Sequence, residues 1–594
     1  MATTLPQLTE LLETLDLATG SVNETPAPWV KHYPPCIPAK LHYPEVPAWG
    51  LLERSAKAYP DRLACIYYKQ RVTYRELSES AHRFAAALAR MGVRPGDRVG
   101  ILLPNTPEFL VALNGTWMAG AAAVAISPLM VAEEVSDLLT ATDCKVVISL
   151  DILAPLVLNA KKQPEHLIVT TIADRLPLWQ RALYNVAVLT KLGIRKKSGG
   201  PKRYDYNREI SQSNPSFTPF EPSSLDAPAF ILATGGTTGC PKAVVLSHKN
   251  LVANATQLHH WAGAAMGRDS ILAIVPFFHS YGLSTCAMSG MAMAATLVMH
   301  HRFVPKIVVK LIEEHEPTGF PAVPAMLVAL NHLLKKRPIQ YRALRYCTCG
   351  GAPLDPSIAA EFASLTGAMV VEGFGLSEAS PVTHSGPLDG TARPGTMGLP
   401  LPDTLARIVD ADTGLTTLPP GEVGELIVKG PQVMVGYWNN PEATANTIRN
   451  GWLYTGDLAV CDEDGFFRIV DRKKDLIITS GFNVYPTDVE VVLRGCPGVK
   501  DLAIVGVPDG EKGELVKAVI VPEPGFDRHV FEEFAKEHLS KHKRPVLIDM
   551  VEGDLPRNFL GKVYRRKLRE PANAPQIAVP ITVGGLAPAA AMAE

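Results

Sequence analysis

Residues 233–242 read Ala-Thr-Gly-Gly-Thr-Thr-Gly-Cys-Pro-Lys. Gly235, Gly236 and Gly239 permit a tight turn that side chains would obstruct. Backbone N–H groups in such a turn can converge on an anion. The hydroxyls of Thr234, Thr237 and Thr238 add donors, and Lys242 adds a point charge. Phosphate is the anion this set suits. The segment departs from the Walker A loop, because Pro241 stands before the lysine and Ala243, not Ser or Thr, follows it. By itself it suits a phosphate cradle and a flexible Gly/Thr hairpin equally well.

The elements that must position this loop follow from the apolar patterning. Apolar runs at 229–233 and 243–246 flank it, so it joins two strands. A helical pattern at 77–91 and a buried strand at 98–103 begin an alternation that continues to residue 370 and argues for helices packed on sheets. Residues 191–225 are polar, basic and rich in Ser, Pro and Asn, which reads as an insertion or inter-subdomain loop. Short strands between Gly/Asp turns over 400–470 predict a small antiparallel unit. From 487 a compact α+β pattern follows: helix 488–494, strands 501–507 and 515–521, helix 530–539, strand 545–550 and a final basic helix. The expected fold class is α/β, with a large multi-subdomain N-terminal α/β domain (46–473) and a small mobile α+β C-terminal domain (474–572). An extension (1–45) precedes them, and an Ala/Pro-rich tail (573–594), expected to be disordered, follows.

Composition narrows the function classes. Hydrophobic residues make up 47% of the 594 and charged residues 20%, as in an ordinary globular protein. A net charge of −1 gives no global case for nucleic acid or an anionic membrane. Nine cysteines without a CxxC pair, only Cys347-x-Cys349, suggest thiols in a reducing cytosol rather than zinc ligands or disulfides. The N-terminus lacks a secretory pattern, and no stretch has 18 uncharged apolar residues, so a cytoplasmic protein is expected.

Distant motifs decide between the readings of the loop. Residues 233–243 resemble the T-S-G-T-T-G-x-P-K-G signature of the adenylate-forming superfamily, which contains acyl-CoA ligases, peptide-synthetase adenylation domains and beetle luciferases; Gly235 replaces Ser and Ala243 replaces Gly. The Gly-Gly variant is similar to that of bacterial fatty-acyl-CoA ligases. Pro276-Phe277-Phe278-His279-Ser280-Tyr281-Gly282 resembles a second motif, which implies that His279 lies where the acyl carboxylate meets ATP. Cys349-Gly350-Gly351-Ala352-Pro353-Leu354 resembles the segment beneath adenine, implicating Gly351, Ala352 and Pro353. Residues 372–381 resemble the Y-G-L-T-E segment. There Glu372 and Gly373 lead into Phe374, which keeps a face for adenine; Ser377 keeps a hydroxyl for the α-phosphate, and Glu378 would hold Mg²⁺.

Later motifs extend the resemblance over residues 50–570. Tyr454-Thr455-Gly456-Asp457 implies ribose binding by the Asp457 carboxylate. Asp471-Arg472-Lys473-Lys474-Asp475 matches the family hinge, with Arg472 reaching ribose or phosphate and Lys474 at the pivot. Ser480, Gly481 and Phe482 would line the pantetheine tunnel of coenzyme A. Leu555-Pro556-Arg557-Asn558-Phe559-Leu560-Gly561-Lys562 resembles L-P-K-T-x-x-G-K and makes Lys562 the catalytic lysine.

The resemblance implies a two-step ligase. ATP, with Mg²⁺, converts a medium- or long-chain fatty acid to an acyl-adenylate; coenzyme A then takes the acyl group as the C-terminal domain turns about Lys474. Small and flexible residues over 281–298 leave room for an acyl chain and suit ordinary core packing equally. Loading of a carrier protein, an aryl acid, a luciferase-like oxygenation and a catalytically dead lipid-binding role are the competing readings. Residues 178–197 combine apolar side chains with Arg181, Lys191, Arg195, Lys196 and Lys197, and Trp179 and Tyr184 are candidate interfacial anchors, which suggests salt-sensitive peripheral membrane attachment. Its apolar residues do not read as one clean helical face.

Overall fold

The computed structural model describes residues 27–569 except 174, 175, 177, 193–199, 234–241, 337–342, 510, 511 and 558–561, with the backbone alone for 180 and 187–192. The chain forms two compact units. One contains Pro34–Thr404 and Gly430–Thr444; the other contains the segment ending at Tyr33, Leu405–Lys429 and the chain from Ala445 onward.

The larger unit holds two sheets. In the eight-stranded sheet, six parallel strands (Arg98–Leu102, Ala122–Ala125, Val146–Leu150, His166–Thr170, Lys202–Asp205 and Pro228–Ala233) are extended at one edge by Ala243–Ser247, antiparallel to Pro228–Ala233, and then by Gly436–Tyr437, antiparallel to Ala243–Ser247. Apart from the part-buried Arg98, the central strands are buried throughout and mostly apolar, as parallel strands covered on both faces must be. In the nine-stranded sheet, Ser270–Ala273, Thr296–Met299, Gly319–Ala322, Tyr346–Cys349 and Met369–Gly375 run parallel, so the segments that follow them emerge at one end. Loops at that end of a parallel sheet are where ligands bind in open α/β folds.

Two sequence expectations change. Residues 191–225 are more than a loop: the backbone continues the helix to Leu192, then forms the strand Lys202–Asp205 and the helix Tyr206–Gln212. That strand escaped detection because Lys202, Arg203 and Asp205 are charged and exposed and only Tyr204 is part-buried. The helix expected at 77–91 starts at Tyr74, because Thr73 and Glu76 form a capping box in which each side chain accepts the other's backbone N–H.

The smaller unit also holds two sheets. Leu405–Val409, Gly424–Lys429, Ile448–Arg449, Trp452–Cys461 and Phe467–Arg472 form the antiparallel unit expected over 400–470. The second is built on the long hairpin Val499–Asp509 and Gly513–Pro522, with Ile477–Thr479, Phe482–Val484 and Leu547–Met550. The helices Pro486–Leu493 and Arg528–His538 bury Val489, Leu493, Phe531 and Ala535 with strand residues in its core. The result is a mixed α/β molecule with a small α+β C-terminal module, as the alternation of patterns predicts.

Candidate active site

The antiparallel pair Pro228–Ala233 and Ala243–Ser247 delivers both ends of the glycine- and threonine-rich loop. Thr234, Gly235, Gly236, Thr237, Thr238 and Gly239 lie outside the described residues, while Lys242 at the loop's end is described. Its ammonium sits 4.9 Å from the centre of the Tyr437 ring. The Tyr437 hydroxyl donates to Glu378 Oε1 at 2.9 Å, and Met434 N–H donates to the Glu378 carbonyl at 2.8 Å. Lys242, Tyr437 and Glu378 thus form one group although 195 residues separate the first two. Tyr437 was not singled out in the sequence; it is placed by the pairing of Gly436 with Val245 and of Tyr437 with Val244.

A polar spine holds this group in place. Ser247 caps the helix His248–Trp261 by accepting Asn250 N–H at 3.1 Å. Asn250, Asn254 and Gln257 recur at helical spacing on one buried face. Asn250 Nδ2 donates to the carbonyls of Pro431 and Val433, which precede Tyr437. Asn254 Nδ2 donates to the Val382 carbonyl at 2.8 Å, just beyond Glu378, and Gln257 Nε2 donates to the Pro402 carbonyl at 2.7 Å. Polar side chains this deep are costly unless paired, and here each pairing fixes a loop.

His279 caps a short turn: Nδ1 accepts Tyr281 N–H at 3.1 Å. The proton of the neutral imidazole therefore belongs on Nε2. Burial lowers its pKa to about 4, so the ring stays neutral through the physiological range. Asn105 fastens the strand end before it, donating to the carbonyls of Ala273 and Val275 and accepting Phe277 N–H at 2.8 Å. Ser280 Oγ lies 3.3 Å from Ser377 Oγ, which brings the second motif beside the Glu378 segment. After Gly282 the chain makes a buried π-helical turn, Leu283–Met288; a Cβ on Gly282 would stand 2.2 Å from the Pro276 carbonyl oxygen.

The two segments whose motifs resemble those flanking adenine follow from adjacent strands. Cys349 pairs with Glu372, and Gly351, at φ +83°, turns the chain toward Ala352 and Pro353. Gly373 and Phe374 pair with Ser385 and His384, and the Phe374 ring meets His384 edge-on at 6.0 Å. Glu372 accepts Gly395 N–H at 3.1 Å as well as the Leu354 N–H, and burial raises its pKa to about 7. It therefore fastens the loop after Pro353 to the 393–396 turn.

The smaller unit gathers the remaining motifs. Asp457 is buried, Arg472 Nε lies 2.9 Å from its Oδ1, and its Oδ2 is buried without a hydrogen-bond partner among the described residues. An orphaned carboxylate oxygen of this kind suits a ribose hydroxyl donor. Lys562 lies in the field of Arg472, Asp457, Lys474 and Asp475, although up to 105 residues separate them. Loss of water comes first in lowering its pKa to about 8, the Arg472 charge comes next, and Asp457 opposes them. Lys474 occupies the turn Lys473–Asp475, and its carbonyl accepts Arg569 Nη2 at 3.4 Å. Ser480 and Gly481, both at positive φ, turn the hairpin whose Phe482 is exposed and stacks on His542 at 4.8 Å.

The chain is similar to known proteins over most of its length. Residues 52–438 match the AMP-binding enzyme family, and residues 488–562 match the AMP-binding enzyme C-terminal domain. The long-chain-fatty-acid–CoA ligase of Bacillus subtilis is 36% identical over 91% of this chain and 98% of its own length. A feruloyl-CoA synthase of an Amycolatopsis species is 32% identical over 87% of this chain and 97% of its own. The crystal structure of ATP-bound MatB from Rhodopseudomonas palustris superposes with a TM-score of 0.74 at 29% identity, covering 88% of this chain and 98% of that one. The chain belongs to the AMP-binding enzyme family, the adenylate-forming superfamily, within its acyl-CoA ligase branch.

Proposed function

We propose that the protein is an ATP-dependent acid–thiol ligase that joins a medium- or long-chain fatty acid to coenzyme A. The observation that carries the reading is the assembly, in one unit, of an orphaned buried carboxylate (Asp457), its guanidinium partner (Arg472) and a lysine with a lowered pKa (Lys562). In the first step a carboxylate oxygen attacks the α-phosphorus of ATP and pyrophosphate leaves. Two anions must approach, so cations and oriented donors lower the barrier. The Lys562 ammonium bridges carboxylate and α-phosphate, the neutral His279 offers Nε2–H to the carboxylate, and the loop ending at Lys242 holds the departing pyrophosphate. Asp457 accepts from the ribose, and Phe374 with Gly351, Ala352 and Pro353 flanks the adenine. Glu378, fixed by Tyr437 and Met434, suits Mg²⁺, since one carboxylate plus nucleotide phosphates is the donor set that ion favours. Mg²⁺ bound there would neutralise phosphate charge.

In the second step the coenzyme A sulfur attacks the acyl carbon, the C–O bond to phosphate breaks, and AMP leaves with the electron pair. Ser480, Gly481 and Phe482 are assigned to the pantetheine path and Lys474 to the pivot between the steps. The fatty-acyl assignment is supported by the Bacillus relative and by the buried Met288 and Met291 around the π-helical turn, where flexible side chains can accommodate an alkyl chain. The Amycolatopsis relative makes an aryl acid the second reading. A panel of saturated fatty acids and hydroxycinnamates, with ATP, Mg²⁺ and coenzyme A, tests both through AMP release and thioester formation. Fatty acids should give the higher kcat/KM; preference for hydroxycinnamates would overturn the assignment. Pyrophosphate release without AMP or thioester formation on adding coenzyme A would point instead to an acyl-adenylate made for a carrier protein.

A further inference from the structure

Tyr437 is fastened by backbone on both sides. The short strand Gly436–Tyr437 pairs antiparallel with Ala243–Ser247, so Tyr437 stands opposite Val244, close along the chain to Lys242. Val435 N–H donates to the Val245 carbonyl at 3.1 Å, and Trp438 N–H donates to the Ala243 carbonyl at 2.7 Å. Tyr437 N–H itself donates to Thr444 Oγ1 at 2.9 Å, and that hydroxyl donates to the Asn440 carbonyl at 2.8 Å. A Cβ on Gly436 would stand 2.7 Å from Thr444 Cγ2, so glycine is what lets the Thr444 side chain close on this strand. The next residue, Trp438, is anchored elsewhere: its Nε1 donates to the Ala141 carbonyl at 3.1 Å. The Tyr437 ring therefore has a position set by its backbone, and it is buried.

Two groups of opposite charge meet this one side chain. The hydroxyl donates to Glu378 Oε1 at 2.9 Å, and the ring face lies 4.9 Å from the Lys242 ammonium. A hydrogen bond on one carboxylate oxygen fixes the plane of the carboxylate, and outer partners of this kind tune how tightly a carboxylate holds a metal ion. The ring attracts the ammonium through its π-electrons without cancelling its charge, so the lysine keeps that charge for an anion. A carboxylate at position 437 would pair with Lys242 and neutralise it. An aliphatic side chain would hold neither group. Met434 N–H, on the same segment, donates to the Glu378 carbonyl at 2.8 Å, so backbone and side chain fix Glu378 together.

We infer that Tyr437 is a positioning residue of the nucleotide site, its hydroxyl orienting Glu378 for a divalent cation and its ring seating Lys242 for the pyrophosphate. The inference rests on the adenylate-forming reading and adds a residue to it. Full-length protein is titrated calorimetrically with α,β-methylene-ATP, whose α–β bridge resists cleavage, once in EDTA and once with Mn²⁺, which shares the oxygen donors of Mg²⁺. Mn²⁺ should strengthen binding to wild type. Tyr437→Phe keeps the ring and removes the hydroxyl. Its binding in EDTA should stay within about twofold of wild type, while the gain from Mn²⁺ should shrink about tenfold. Tyr437→Leu removes both, so binding in EDTA should also fall, by about threefold or more. A merely structural role would weaken both conditions alike in both variants. A Phe variant with the full Mn²⁺ gain, a Leu variant that binds in EDTA like the Phe variant, or a wild type without any Mn²⁺ gain overturns the inference and leaves the ligase reading in place. Wild type that binds the analogue under neither condition overturns both. If the Leu variant melts below the assay temperature, the two measurements on the Phe variant decide.

Discussion

His279 and Lys562 are both held away from water, and their surroundings differ in kind. Burial alone lowers the His279 pKa, and its Nδ1 is engaged by a backbone N–H. Lys562 stands among Arg472, Lys474, Asp457 and Asp475, so its pKa reflects a balance of desolvation and charges of both signs. A neutral imidazole needs no countercharge and can be tuned by dryness. An ammonium loses more on leaving water and needs carboxylates close by. The first arrangement is indifferent to pH near neutrality; the second is poised near it and responds to each neighbour.

The largest test of this contrast removes the cation. Lys562→Ala should lower acyl-adenylate formation about a thousandfold while leaving thioester formation from preformed acyl-adenylate within a fewfold of wild type. Pyrophosphate release and single-turnover thioester assays separate the two. Equal loss in both would show that Lys562 does not serve the step in which two anions meet.

Lys474→Pro comes next, since it fixes φ in the turn that carries this cluster. Adenylate formation should persist while the second step slows about a hundredfold, if the turn must change between steps. An unchanged rate of thioester formation would remove Lys474 from the pivot.

The pH profile sharpens the comparison directly. A lysine with a lowered pKa is protonated, and competent to bridge anions, only below that pKa. The kcat/KM for pyrophosphate release should therefore fall about tenfold per unit as pH rises through about 8. No inflection from His279 should appear until pH falls toward about 4. The smallest effect belongs to Asp475→Asn, which removes a charge that supports the Lys562 cation and should move the alkaline limb down by less than about one unit. A limb that stays in place would assign it to another group.

The glycine-rich loop shows how far the sequence could be read. Its flanking apolar runs gave two strands, and they pair antiparallel, with Leu232 opposite Val244. Tyr437 was invisible because nothing in a Gly-Tyr-Trp run says that its hydroxyl will meet Glu378 and its ring Lys242. The burial of Asn250, Asn254 and Gln257 on one face could not be read from their spacing, since polar residues at helical spacing usually face water. Tyr184 looked like an interfacial anchor, and its partner Asp151 lies 33 residues away on another element.

The order of motifs, the α/β alternation, the antiparallel insert and the compact C-terminal pattern were determined by the sequence itself, because turn chemistry and apolar periodicity act over a few residues. Which polar groups share a site was decided only by tertiary structure. The pairing of Asp457 with Arg472 and the pKa of Lys562 depend on distances between separate elements and on how much water the lysine retains. Electrostatic coupling falls off with separation in space, not along the chain, so the lowered pKa of Lys562 and the stranded oxygen of Asp457 come into existence only when the chain folds.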